Sequence, residues 1–178
     1  PKVMQSEYIK DISNHYNEDF KKNNKAIKLH HAKYINDKYA PAWKTLEFFT
    51  FGAILKIYKC LLDNQIKERI SKEFGVLNVS KFINLLETIV FIRNVCAHGG
   101  VLFDLKMPKG IAVLPSIEFN NGNRHSLDSA FKVIIYILNN ISVDRRNELE
   151  QKLIDIFNIH KSNDVIKEII EQEIGYLY

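Results

Sequence analysis

Apolar residues recur every four positions at Tyr8, Ile12, Tyr16 and Phe20 on an otherwise polar background. That stripe predicts an amphipathic helix. A second, more polar helix is expected from about Lys25 to Lys38, and Ala40-Pro41-Ala42 then breaks the chain, with Pro41 near a helix start. From Trp43 to Leu62 nearly every helical face is apolar, which predicts a continuous central helix with Glu47 as its one acidic residue. A shorter helix, about Asn64 to Phe74, should stop at Gly75. Asn78 or Ser80 can cap the next helix, which should run to about His98 and end at Gly99-Gly100. Residues 99–124 read as a long loop, with a brief β-hairpin in the alternating stretch around Ile111–Phe119. Three closing helices are expected at about 126–141, 143–160 and 164–174, the last started by Ser162.

These elements make an all-α helical bundle in a single domain over 1–178. Leading helices occupy 1–40, core helices 41–98, the loop 99–124 and C-terminal helices 125–178. Composition agrees: glycine and proline number seven and four and cluster as punctuation. At 178 residues, 46% apolar and 26% charged, the chain can bury a core without disulfides or metals. Cys60 and Cys96 each lie inside an apolar helical pattern without metal-ligand spacing, so a disulfide scaffold and a zinc module are both disfavoured. No apolar run reaches the roughly 18 residues of a membrane span, and no signal peptide is evident. A cytoplasmic protein is therefore expected. The charge of +4 permits nucleic-acid binding without announcing it. The chain begins at Pro1, which reads as a fragment or processed form of a longer protein.

The candidate chemistry lies in Phe82–His98. With Phe82 at zero on a wheel of roughly 100° per residue, Leu86 falls at about 40° and Ile89 at about 340°. Arg93 falls between them, at about 20°, in the most apolar sector. A guanidinium buried there needs an anionic or acceptor partner, and Glu47 on the central helix or a bound phosphate would serve. His98 projects at about 160°, beside Glu87 at about 140° and Asn94 at about 120°, on a narrow polar stripe at the helix end. Arg93 and His98 thus point about 140° apart on a straight helix. Either the last turn unwinds or two protomers pool them across a two-fold axis. An Arg and a His at such spacing is by itself a weak signal, because five Arg and six His produce one by chance about half the time.

The run Arg93-Asn94-Val95-Cys96-Ala97-His98 resembles the R-N-x-x-A-H signature of HEPN domains, an all-α superfamily of ribonucleases and RNA-binding proteins. The surrounding pattern is similar to the Abi-like (AbiD/AbiF type) abortive-infection proteins of bacteria. Trp43, Glu47, Phe51 and Gly52 match that family's aromatic helix, and Lys72 to Gly75 its K-E-F-G step; the likeness extends from about Tyr8 onward. The resemblance implies metal-independent RNA cleavage at a composite homodimer site, with no cofactor. It makes His98 a general acid or base, Arg93 the stabiliser of phosphorane charge and Asn94 an orienting hydrogen-bonder. It also implies phage defence or a toxin–antitoxin role, with an inhibitory antitoxin protein or non-coding RNA as a partner. Members also carry an N-terminal helical region, including part of the HEPN helix set, which this chain is expected to lack. After the motif the family places a second His and a basic residue, where this chain has Gly99, Gly100 and Val101. That departure sustains an alternative, a non-catalytic module that binds RNA or protein. A third reading is a helical assembly protein in which Arg93 pairs with Glu47 for structure alone.

Other candidates weigh less. Lys21, Lys22, Lys25 and Lys28 form the densest basic stretch and could track an RNA backbone, although a solvated helix face is the commoner role. Tyr8, Tyr16 and Phe20 could stack on bases, yet their spacing also suits a core. His30-His31 invites a metal reading, but neighbours on a helix diverge and no further ligand sits at a fitting spacing. His15, His125 and His160 are isolated, for which solvated surface is the default.

Overall fold

A computed structural model describes Ile12 and residues 15–178. The chain divides into two compact units, residues 1–67 and 68–178. Among the described residues the elements are helical and no β-strand forms, so the all-α expectation holds. None of these helices is long and apolar enough to cross a membrane.

The first unit contains α1 (Glu18–Asn23), α2 (Lys25–Lys33), α3 (Ala42–Thr45), a 3-10 turn at Leu46–Phe48 and α4 (Phe51–Cys60). Tyr16, Ile27 and Ala40 form its buried centre, with Ile12, Phe20 and Tyr39 packed against them. The Tyr16 hydroxyl accepts the Ala40 N–H at 2.7 Å and lies 2.8 Å from His31 Nε2. Its proton is therefore free to go to the histidine.

Three expectations change here. The stripe through Tyr16 and Phe20 does not make one helix, because the Asn17 side chain caps a new start by accepting from the Phe20 N–H; Tyr8 lies outside the described residues. The helix after Lys25 ends at Lys33 rather than Lys38. The predicted central helix is broken at Phe49–Thr50, where Phe49 is extended and the Thr50 hydroxyl accepts the Ala53 N–H at 3.2 Å. A threonine in an apolar run reads as one more helical position, but its side chain competes for the backbone and starts α4 afresh.

α5 (Asn64–Glu73) carries the chain from one unit into the next. The second unit continues with α6 (Val79–Ala97), α7 (Leu127–Ile141), α8 (Val143–Asn158) and α9 (Asp164–Ile169), which runs on as a π-helical turn to Ile174. α6 packs against α7, and α7 against α8. Asn78, not Ser80, caps α6 by accepting from the Lys81 N–H. Asn163, not Ser162, caps α9. Buried Phe82, Leu85, Leu86, Thr88 and Ile92 form the inward face of α6.

The stretch at 111–119 forms no hairpin. Its buried residues are Ile111, Leu114 and Ile117, spaced three apart rather than the two a strand requires, and Pro115 interrupts it. Side chains hold this loop. Asn84 of α6 donates to Gly110 O and accepts from the Ala112 N–H at 2.6 Å. His125 Nδ1 donates to Met107 O at 2.9 Å, and Lys81 donates to Val113 O at 2.8 Å.

Candidate functional site at the end of α6

α6 ends in a Schellman motif. Gly100 N–H donates to Val95 O at 2.8 Å and Gly99 N–H to Cys96 O at 3.2 Å, which satisfies carbonyls the last turn would leave open. Gly99 has φ +68°, a conformation that favours glycine. Gly100 is needed for a different reason: a Cβ there would lie 2.8 Å from Val95 Cγ1 and 3.0 Å from Val95 O. His98 is the C-cap, with φ −97° and ψ 12°, so the helix does not unwind before it.

Arg93 is exposed, not buried, and this corrects the wheel reading. On the same wheel Arg93 shares its sector with buried Phe82 at zero and Leu86 at about 40°, so that sector is covered farther toward the helix N-terminus and open at Arg93. The last turn of α6 also projects beyond what covers that face. Arg93, Asn94, Cys96, Ala97 and His98 are all exposed. An exposed guanidinium is hydrated, so the demand for Glu47 as an obligatory partner falls away. Glu47 is itself exposed, in the 3-10 turn of the first unit.

The Arg93 guanidinium donates to Asn94 Oδ1 at 3.0 Å. This draws the charge around the helix toward the side that Asn94 shares with His98, four residues on. The three residues present a cation, an amide and an imidazole on one exposed turn. A guanidinium and an amide offer hydrogen-bond donors to an oxyanion, and an imidazole can donate or accept a proton. Among the described residues, no group of three or more His, Cys, Asp or Glu is placed to hold a metal ion.

The same face of α6 continues toward its N-terminus through Phe91, Glu87 and Asn84, at the spacings that share a helix side. There it meets Met107, Pro108 and Lys109 in a groove of about 170 Å³. Lys109 lies 3.6 Å from Glu87 across it. Sequence reasoning did not single out Asn84, Phe91, Lys109 or the anchoring role of His125. The only signal was an aromatic residue, Phe91, lying among polar positions of the stripe.

In the first unit Lys22, Lys25 and Lys28 are exposed, while Lys21 pairs with Glu18 at 2.9 Å and lies over the Tyr16 ring. Tyr16 and Phe20 are engaged with each other and with Tyr39 and Phe49. Packing accounts for both rings. His30 Nε2 sits 3.0 Å from Asp37 and His31 serves Tyr16, so each imidazole of the pair has a protein partner.

Fold and site together define an all-α protein whose longest described helix ends in an exposed Arg-Asn-x-x-x-His turn. The model of the Abi-like protein family matches residues 2–104, more than half of the chain, and the protein belongs to that family. The match runs through the first unit and ends just after the motif helix. No curated protein and no solved structure gave a match. Family membership suggests a role in abortive infection.

Proposed function

We propose that this protein is a HEPN-type endoribonuclease of a bacterial phage-defence or toxin–antitoxin system, acting in the cytoplasm on RNA as a homodimer. The observation that carries the reading is the exposed terminal turn of α6, where Arg93 is hydrogen-bonded to Asn94 on the side that carries His98.

The chemistry follows from these groups. His98 of one copy takes the proton of an RNA 2′-OH, whose oxygen attacks the adjacent phosphorus. The P–O5′ bond breaks as the P–O2′ bond forms, and His98 of a second copy protonates the departing 5′-oxygen. The products are a 2′,3′-cyclic phosphate and a 5′-hydroxyl. Arg93 stabilises the charge that grows on the non-bridging oxygens, the term that usually dominates such catalysis. Asn94 positions the guanidinium. The need for a 2′-OH restricts the reaction to RNA. An antitoxin protein or a non-coding RNA restrains the activity, since unchecked RNA cleavage stops growth.

End-group analysis of RNA incubated with the protein in excess chelator tests the reading. Cyclic phosphate ends that disappear with His98→Ala are the expected result. RNA that is bound but never cut would instead assign a non-catalytic RNA-binding module.

A further inference from the structure

The groove beside the motif has the features of a nucleobase pocket, and this inference rests on the RNA-directed reading above. One wall is the polar face of α6, with Glu87 and Phe91; the other is the Met107-Pro108-Lys109 corner of the loop. Phe91 is half-buried on the side of α6 away from Phe82, Leu85 and Ile92, and it shares the groove with buried Thr88 and Met107. The facing wall is preorganised. Asn84 fixes the backbone at Gly110 and Ala112, and His125 fixes Met107 on the other side. Long loops without secondary structure that are held this firmly are usually functional.

We propose that this groove holds one base of a single-stranded RNA next to the reacting phosphate, and that it selects guanine. Phe91 offers a ring face for stacking, which serves any base. Glu87 supplies the discrimination. A carboxylate is acceptor-only, with two oxygens that take parallel donors. Guanine alone among the four bases presents two adjacent donors, N1–H and the 2-amino group, on its pairing edge. Adenine, cytosine and uracil each set an acceptor beside their donor, which a carboxylate repels. Lys109, paired with Glu87 on the rim and mostly exposed, is placed to meet the phosphate of the same nucleotide. Phe91 stands seven residues before His98, roughly 10 Å along the helix at about 1.5 Å per residue, within reach of a neighbouring nucleotide.

The test is binding of short single-stranded ribo-oligonucleotides to the full chain carrying His98→Ala, so that affinity is read without cleavage. Oligonucleotides containing one guanine among uridines should bind about tenfold or more tightly than all-uridine controls. Glu87→Gln should erase that preference by weakening guanine binding and strengthening uridine binding, because an amide meets a donor and an acceptor side by side. Phe91→Ala should weaken binding of every oligonucleotide about tenfold. A Phe91→Trp variant should show fluorescence quenching on binding, which reports stacking even if Phe91→Ala fails to fold. Equal affinity for all bases, or a guanine preference untouched by Glu87→Gln, overturns the proposal. Cleavage by the wild-type chain without base preference would remove the pocket and leave the ribonuclease reading standing. Guanine-selective binding without cleavage would do the reverse.

Discussion

The side-chain oxygen of Asn84 accepts the backbone N–H of Ala112 at 2.6 Å, while its amide nitrogen donates to Gly110 O. One residue of the motif helix thereby does for the loop what a neighbouring strand would do in a sheet. Asn84→Ala leaves a donor and an acceptor without their partner. The expected loss is about 1–3 kcal/mol in denaturant unfolding, with new proteolytic cleavage inside residues 99–124. A variant as stable and as protease-resistant as the parent would show that the loop is held by other means.

Arg93→Ala removes an exposed side chain and should change stability by no more than about 0.5 kcal/mol. The same holds for His98→Ala. Each should nonetheless abolish RNA cleavage and relieve growth arrest on expression. Thermal unfolding run beside the cleavage assay separates the two effects. An Arg93→Ala protein that unfolds several degrees early would return Arg93 to a structural role.

The two glycines after His98 should respond differently to alanine. Gly99→Ala pays for a left-handed backbone with open space around it, about 1 kcal/mol. Gly100→Ala drives a methyl group against Val95, including its carbonyl, and should cost about 1–3 kcal/mol. Denaturant midpoints of the two variants give the order directly. Equal midpoints would mean that the turn relaxes to accommodate the methyl.

The first unit carries a pH dependence through His31. Burial holds its imidazole below the ordinary 6.5, helped by the charges of Lys21 and His30 and opposed more weakly by Asp37 and Glu18. The unfolded chain therefore binds the proton more readily than the folded one. Stability is fully present above about pH 6.5 and falls as the pH drops through the lowered folded value. Unfolding midpoints between about pH 8 and 5 should decline in the parent and decline less in His31→Gln, whose amide oxygen can still accept from Tyr16. Parallel curves would remove His31 from the account.

The bounds of the motif helix could be read in the sequence because its end signals are local: an Asn cap at 78 and glycines at 99 and 100. The break at Thr50 could not. Periodicity scores residue type and is blind to a hydroxyl that accepts the N–H three residues ahead. The exposure of Arg93 escaped for a related reason. A helical wheel collapses the axis and assumes that one face is covered from end to end, whereas the last turn of α6 outruns its cover. The anchoring of the loop was invisible because the atoms Asn84, His125 and Lys81 recognise belong to the backbone, which has no letter in the sequence. The motif residues themselves were legible from resemblance, while the link between Arg93 and Asn94 required coordinates.

That backbone-only anchoring has an evolutionary consequence. Asn84, His125 and Lys81 grip the main chain at Gly110, Ala112, Met107 and Val113 and make no demand on most of the side chains between them. Pro108 and Lys109 can be exchanged while the scaffold stays seated. Buried Met107 has to stay, so the groove proposed to read a base could be redrawn at 108 and 109 alone, beside an unaltered Arg93–His98 turn.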